Sequence, residues 1–203
     1  MNTRTSYITQ AGVIAAAYAA TTFVALSFSG YLAWGPIQFR VSECLMVLAL
    51  FTPAAVPGLT LGCAVANLFT IAFGGTGVLG LLDVVFGSLA TLLGALWMRR
   101  FRERPLLALA GPVLFNALIV SAYLPLLMAG LGYYTIPFTS ISFEGFWLGM
   151  YLFGVVFVGL GEVVVLYCLG YPLYKALDAT PVFRRLKTAS FPAARCPLRH
   201  PAR

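Results

Sequence analysis

Charge is scarce in this chain of 203 residues: Asp, Glu, Lys and Arg make up 9% of it, against about 25% in an ordinary soluble domain. With 61% hydrophobic residues and a mean hydropathy of +0.92, it has too little polar surface to coat a soluble core. The composition is that of a multispan membrane protein. Histidine is nearly absent, His200 in the C-terminal tail being the single one, and Cys44, Cys63, Cys168 and Cys196 show no C-x-x-C spacing. This argues against a zinc site and leaves the cysteines as small apolar residues of helices. G-x-x-x-x-G-K-[ST], H-E-x-x-H and G-x-S-x-G are all missing, so no P-loop, zincin or nucleophile-elbow chemistry is encoded. No internal repeat relates the two halves, which argues against a conventional secondary transporter. A membrane binder of this kind has to borrow its energy from a partner.

What the chain has in plenty is long apolar runs. They predict an all-α integral membrane protein with six transmembrane helices near 8–29, 41–56, 58–74, 79–98, 105–131 and 146–172. Only Arg4 precedes the first run, and more spans follow, so it does not read as a signal peptide. The second and third runs are short. Pro53 and Pro57 separate them in a tight hairpin, and Pro125 suggests a local break in the fifth. Arg4, the cluster Arg99, Arg100, Arg102 and Arg104, and the basic residues after the sixth run then fall on one side, twelve of the thirteen bases in all. By the positive-inside rule both termini are cytoplasmic. The +7 net charge reads as topology signalling and attraction to anionic lipid rather than nucleic-acid binding. Residues 1–175 form the membrane domain and 176–203 a basic, poorly ordered cytoplasmic tail.

The few polar residues left in or near the spans are the candidate site. Gln38, Arg40 and Glu43 lie in QFRVSECL at the outer mouth of span two. Asn67, Asp83 and Glu144 also fall towards the outer face, while Asn116 and Glu162 lie deeper. Ionisable groups at such depth face a bundle interior or a wet cavity. Purely structural roles compete: an Arg40–Glu43 pair at i,i+3, capping of a broken helix by Asp83 or Glu162, and a cross-helix bond from Asn116. Aromatics crowd the same end, with Tyr31 and Trp34 in the first outer loop and Tyr133, Tyr134, Phe138, Phe143, Phe146 and Trp147 around the last. They serve either an interfacial belt or a pocket. Flat aromatic faces with carboxylates suit a planar heterocycle bearing N–H donors. On span one, Ala11, Ala15 and Ala19 repeat every four positions beside Ala16 and Ala20, and Gly58/Gly62 and Gly145/Gly149 share that spacing. Such stripes pack helices closely, within the bundle or against a partner.

The run GPIQFRVSECLMVLALFTPAAVPGLTLGCAVANLF, residues 35–69, resembles the signature of QueT-type queuosine-precursor transporters, substrate-binding S components of energy-coupling factor (ECF) transporters. The likeness rests jointly on R-V-S-E, on the turn from Pro53 to Leu59 and on G-C-x-x-A-N, Gly62 to Asn67, with Cys44 standing where Ala is expected. It extends over roughly 7–175 and leaves out the arginine-rich tail. The resemblance implies an S-component-like six-helix bundle without a cofactor, capturing a 7-deazaguanine (preQ1, preQ0 or queuine) near the outer face. It implies a transmembrane coupling (T) component and two cytoplasmic ATPases as partners, with Ala11, Ala15 and Ala19 on the docking helix. Glu43 would accept from the guanine-like edge, with Gln38, Arg40 and Asn67 as polar contacts and Asp83 or Glu144 neutralising an aminomethyl group. Three rivals stand beside this: an S component for another heterocyclic vitamin, a membrane enzyme using Asp83 and Glu162, and a structural membrane protein.

Overall fold

The computed structural model describes residues 3–29, 40–74, 77–130 and 147–190. Each described element is helical: α1 Thr3–Ser29, α2 Val41–Leu50, α3 Ala55–Gly74, α4 Gly77–Arg100, α5 Pro105–Gly130, α6 Trp147–Ala179 and α7 Pro181–Ser190. Hydrocarbon offers the backbone no hydrogen bonds, so an apolar run must pair its own N–H and C=O groups, and a helix does this locally. Among the described residues, α1, α3, α4, α5 and α6 are long and apolar enough to cross a bilayer. Leu148, Leu152, Val156 and Leu160 form an exposed apolar stripe along α6, the face such a helix turns to lipid.

Several boundaries differ from expectation. The second run, predicted as 41–56, is a 3-10 helix of ten residues, and α3 begins at Ala55. Pro57 therefore sits in the first turn of α3, where a missing N–H costs nothing, and only Pro53 lies in the turn. α5 runs unbroken through Pro112 and Pro125. Tertiary partners in a bundle re-satisfy the backbone groups a proline frees. α6 is 33 residues long, about 50 Å at helical rise, and overshoots a hydrocarbon core of about 30 Å.

The tight winding of α2 has a geometric reason. Thr22 donates to Ser42, Tyr18 to Glu43, and Thr52 to Gln10, so α2 and the turn after it run antiparallel to α1. Thr22 and Gln10 are roughly 18 Å apart along α1. Ten steps of α-helix would cover about 15 Å, whereas ten of 3-10 helix cover about 20 Å. The 3-10 repeat also eclipses i and i+3, which puts Glu43, Met46 and Ala49 in one fully buried row.

α1 and α3 lie side by side and parallel. A methyl on Gly58 would stand 2.7 Å from the Ala11 carbonyl oxygen, and one on Gly62 2.8 Å from that of Ala15. Both glycines are therefore needed for this close approach. The small-residue face predicted to dock a partner is thus partly used within the chain: Ala11 is buried, and Ala15 and Ala19 are half-buried.

At the basic end, Met46, Leu50, Leu59, Met98, Leu109 and Leu166 close a buried core. Phe51 packs on Tyr174 and Phe183 at 5.5 and 5.4 Å, which folds α7 back onto the bundle. Lys187 lies over the rings of Phe51 and Tyr174 and pairs with Asp178 at 3.2 Å. Partial burial draws the Lys187 ammonium down, but hydrogen bonds to Tyr174 and Asp178 outweigh it and hold the group above the usual lysine range. The expected loose tail from 176 is therefore helical as far as Ser190, because Phe183 and Lys187 find partners on α2's exit and α6; residues 191–203 lie outside the described residues.

Candidate functional site

Two layers of buried polar side chains sit inside the bundle. One, towards the Val78 end of α4, centres on Asp83. Its Oδ2 pairs with Arg40 Nη2 at 2.9 Å, its Oδ1 accepts from the Tyr123 hydroxyl at 2.5 Å, and its backbone carbonyl accepts from Asn67 Nδ2 at 2.7 Å. Four segments thus meet at one residue: the entry to α2, and α3, α4 and α5. Asp83 opens a π-helical stretch, Asp83–Gly87, within α4. Widened turns of this kind arise where a side chain reaches the helix backbone, as Asn67 does here. Gly87 keeps the space open, since a methyl there would lie 3.1 Å from Asn67 Nδ2 and 3.3 Å from Asp83 Oδ1.

The other, nearer the basic end, holds Glu43 and Glu162. Glu43 is fully buried, and its Oε1 accepts from the Tyr18 hydroxyl at 2.5 Å. Glu162 on α6 accepts from Asn116 Nδ2 on α5 at 2.9 Å. Among the described residues, Glu43 Oε2, Glu162 Oε2 and Asn116 Oδ1 are buried without a hydrogen-bond partner. Buried acceptors of this kind are rare in native structures and point to a donor supplied from elsewhere.

Arg40, Asn67 and Asp83, predicted from sequence, are brought together, with Glu43 one 3-10 turn deeper. The Arg40–Glu43 pairing does not form. Arg40 has φ −79° and ψ 83°, outside the helix, and its side chain reaches α4 instead. Asp83, expected to meet a ligand amine, already holds Arg40 and Tyr123. Neither Asp83 nor Glu162 acts as a helix cap, and each is bonded to different neighbours, so they do not form an acid–base pair. Asn116 makes the cross-helix bond foreseen for it. Gln38 and Glu144 lie outside the described residues, as do Tyr31, Trp34, Tyr133, Tyr134, Phe138, Phe143 and Phe146. Sequence reasoning missed Tyr18 and Tyr123. Their one signal is a phenol in mid-span, whose hydroxyl needs a partner once buried.

The family model described as QueT transporter matches residues 8–179. The chain belongs to the QueT transporter family. It is accordingly a multi-pass membrane protein of a transporter family, and that family is not one of enzymes. The queuosine precursor transporter QueT of Lactococcus lactis subsp. cremoris (strain MG1363) is 35% identical over 98 residues, which is 45% of this chain and 53% of that protein. The match thus spans about half the length of this relative. No solved structure matches this family member.

Proposed function

We propose that this protein is the substrate-binding S component of an ECF-type importer and captures a 7-deazaguanine queuosine precursor from the outer side. The observation that carries the reading is the free Oε2 of Glu43. It is a carboxylate oxygen wholly removed from water, with its twin held by Tyr18 and the Arg40–Asp83–Tyr123–Asn67 cluster one layer out. A guanine-like edge offers an N–H and an exocyclic amine to such a group. The relative's name supplies the substrate class. Purified protein should be stabilised thermally by preQ1 or preQ0, because a ligand that binds only the folded state raises its stability. Glu43→Gln should weaken both ligands by about 100-fold, roughly 2.7 kcal/mol. Unchanged affinity in that variant rules out the assignment.

The antiparallel course of α2 beside α1 supports a sixth crossing and termini on the same, cytoplasmic side of a prokaryotic cell membrane. The T component, which would carry the two cytoplasmic ATPases, would dock on the lipid-facing strip Gly12, Ala16 and Ala20 of α1, with the half-buried Ala15 and Ala19 at its edge, since Gly12, Ala16 and Ala20 are small and exposed. Co-purification lost on Ala16→Leu tests this. A different heterocyclic vitamin is the alternative cargo, and native mass spectrometry of freshly purified protein separates the two.

A further inference from the structure

The Glu162–Asn116 pair is not used by the reading above, yet it leaves two buried acceptors open. Its position can be followed helix by helix. Tyr18 on α1 adjoins Gly62 and bonds Glu43. On α4 and α5, Gly87 adjoins Tyr123 and Gly94 adjoins Pro112, which places Asn116 between these two levels. On α5 and α6, Ser121 adjoins Gly154 and Ala117 adjoins Gly159, which brings Glu162 to Asn116. Met46 and Pro112 both lie against Gly94, and Glu43 and Asn116 each stand one helical turn, about 6 Å, from that level towards the Asp83 cluster, so Glu43 and the Glu162–Asn116 pair share one level of the bundle interior.

The charge balance of this interior is uneven. Arg40 is engaged by Asp83, which leaves the carboxyl groups of Glu43 and Glu162. The other described bases lie at Arg4, between Arg99 and Arg104, and from Lys175 onward, towards the opposite end of the bundle. A lone carboxyl in a membrane interior is expensive to ionise, and a cationic donor placed against it offsets that cost.

We infer that Glu162, positioned by Asn116, forms a second recognition face of the substrate site and takes a cationic N–H donor carried by the heterocycle. This rests on the proposed deazaguanine binding and adds a charge requirement to it: Glu43 reads the planar donor edge and Glu162 selects a protonated amine. Asn116 fixes the orientation of Glu162 through its Oε1 and leaves Oε2 for the ligand.

The test is isothermal titration of the full-length, detergent-solubilised protein with preQ1, which bears an aminomethyl cation, and with preQ0, its neutral nitrile counterpart. Wild type should prefer preQ1 by at least tenfold. Glu162→Gln keeps a hydrogen-bonding side chain beside Asn116, so it should bind preQ0 within threefold of wild type while losing at least tenfold on preQ1. A pair that serves only packing would leave both affinities unchanged or lower them together, and either result overturns the inference. So does a wild type that binds both ligands equally. A wild type that binds neither ligand removes the deazaguanine reading and this inference with it. Asn116→Ser provides a second variant should Glu162→Gln fail to fold: it too should reduce the preference for preQ1 while retaining preQ0, and an unchanged preference overturns the inference.

Discussion

Arg40 finds its counter-charge on another helix, 43 positions away, although Glu43 stands three residues along. The reason is local: with ψ at 83°, the Arg40 backbone has not entered the 3-10 helix, so the two side chains do not share a face. Removing one partner of a buried ion pair costs about 3–5 kcal/mol, because the other charge is left unpaired. Here the side chains are 18% and 12% exposed, so the low end of that range applies. Asp83→Asn should therefore lower the thermal midpoint of the detergent-solubilised protein more than the double variant Arg40→Gln, Asp83→Asn does. A double variant that melts below the single one would show that Arg40 does not depend on Asp83. Tyr18→Phe takes the donor from Glu43 and should cost about tenfold in ligand affinity, roughly 1.4 kcal/mol, measured by titration. Arg40, Glu43, Asn67 and Asp83 were legible in the sequence because polar groups stand out against hydrocarbon. Tyr18 and Tyr123 were not. In a row of apolar residues a tyrosine reads as an aromatic, and its hydroxyl acquires meaning only when a carboxylate on another helix is placed beside it.

At the scale of elements, the spacing of small residues announced close packing but not its direction. Ala11 and Ala15 lie under Gly58 and Gly62, whereas Gly12, one position round, has nothing within 4 Å of where a side chain would begin. This contrast makes a paired prediction. Gly62→Ala places a methyl against both the Ala15 carbonyl and Tyr18, so it should destabilise by about 1–3 kcal/mol through overpacking, while Gly12→Ala should be neutral or slightly stabilising. Because Tyr18 must shift, Gly62→Ala should also weaken ligand binding. Equal melting of the two variants would place the α1–α3 contact elsewhere. The helix types were the illegible part at this scale. Hydropathy marks where a segment lies in the membrane, but the tight winding of α2 and the widened turns at Asp83–Gly87 and Val164–Gly170 depend on which neighbours the backbone meets. For α2, its shortness was the available clue, since a brief segment must stretch to cover the depth between Ser42 and Thr52.

For the molecule as a whole, the path of the chain constrains its topology more firmly than hydropathy alone. α1 and α3 are parallel neighbours, so the chain must return between them from the end of α1 to the start of α3, and α2 runs that way. With this return counted, Arg4, the Arg99–Arg104 turn and the basic α7 fall on one side, as the positive-inside rule requires. Without it, the N-terminus and the remaining bases would lie on opposite sides. Cysteine labelling separates the two arrangements. In a background carrying Cys168→Ser and Cys196→Ser, Val78→Cys at the exposed start of α4 should react with a membrane-impermeant maleimide in intact cells. Thr5→Cys and Arg185→Cys should react only once the membrane is opened. Labelling of Thr5→Cys in intact cells, with Arg185→Cys still protected, would mean an odd number of crossings and would detach α2 from its role as a span. In either arrangement the Val78 end of α4 is the outer one, so Asp83, five residues along α4, and the entry to α2 bonded to it through Arg40 lie nearer that end than the closed core of Met46, Met98 and Leu109.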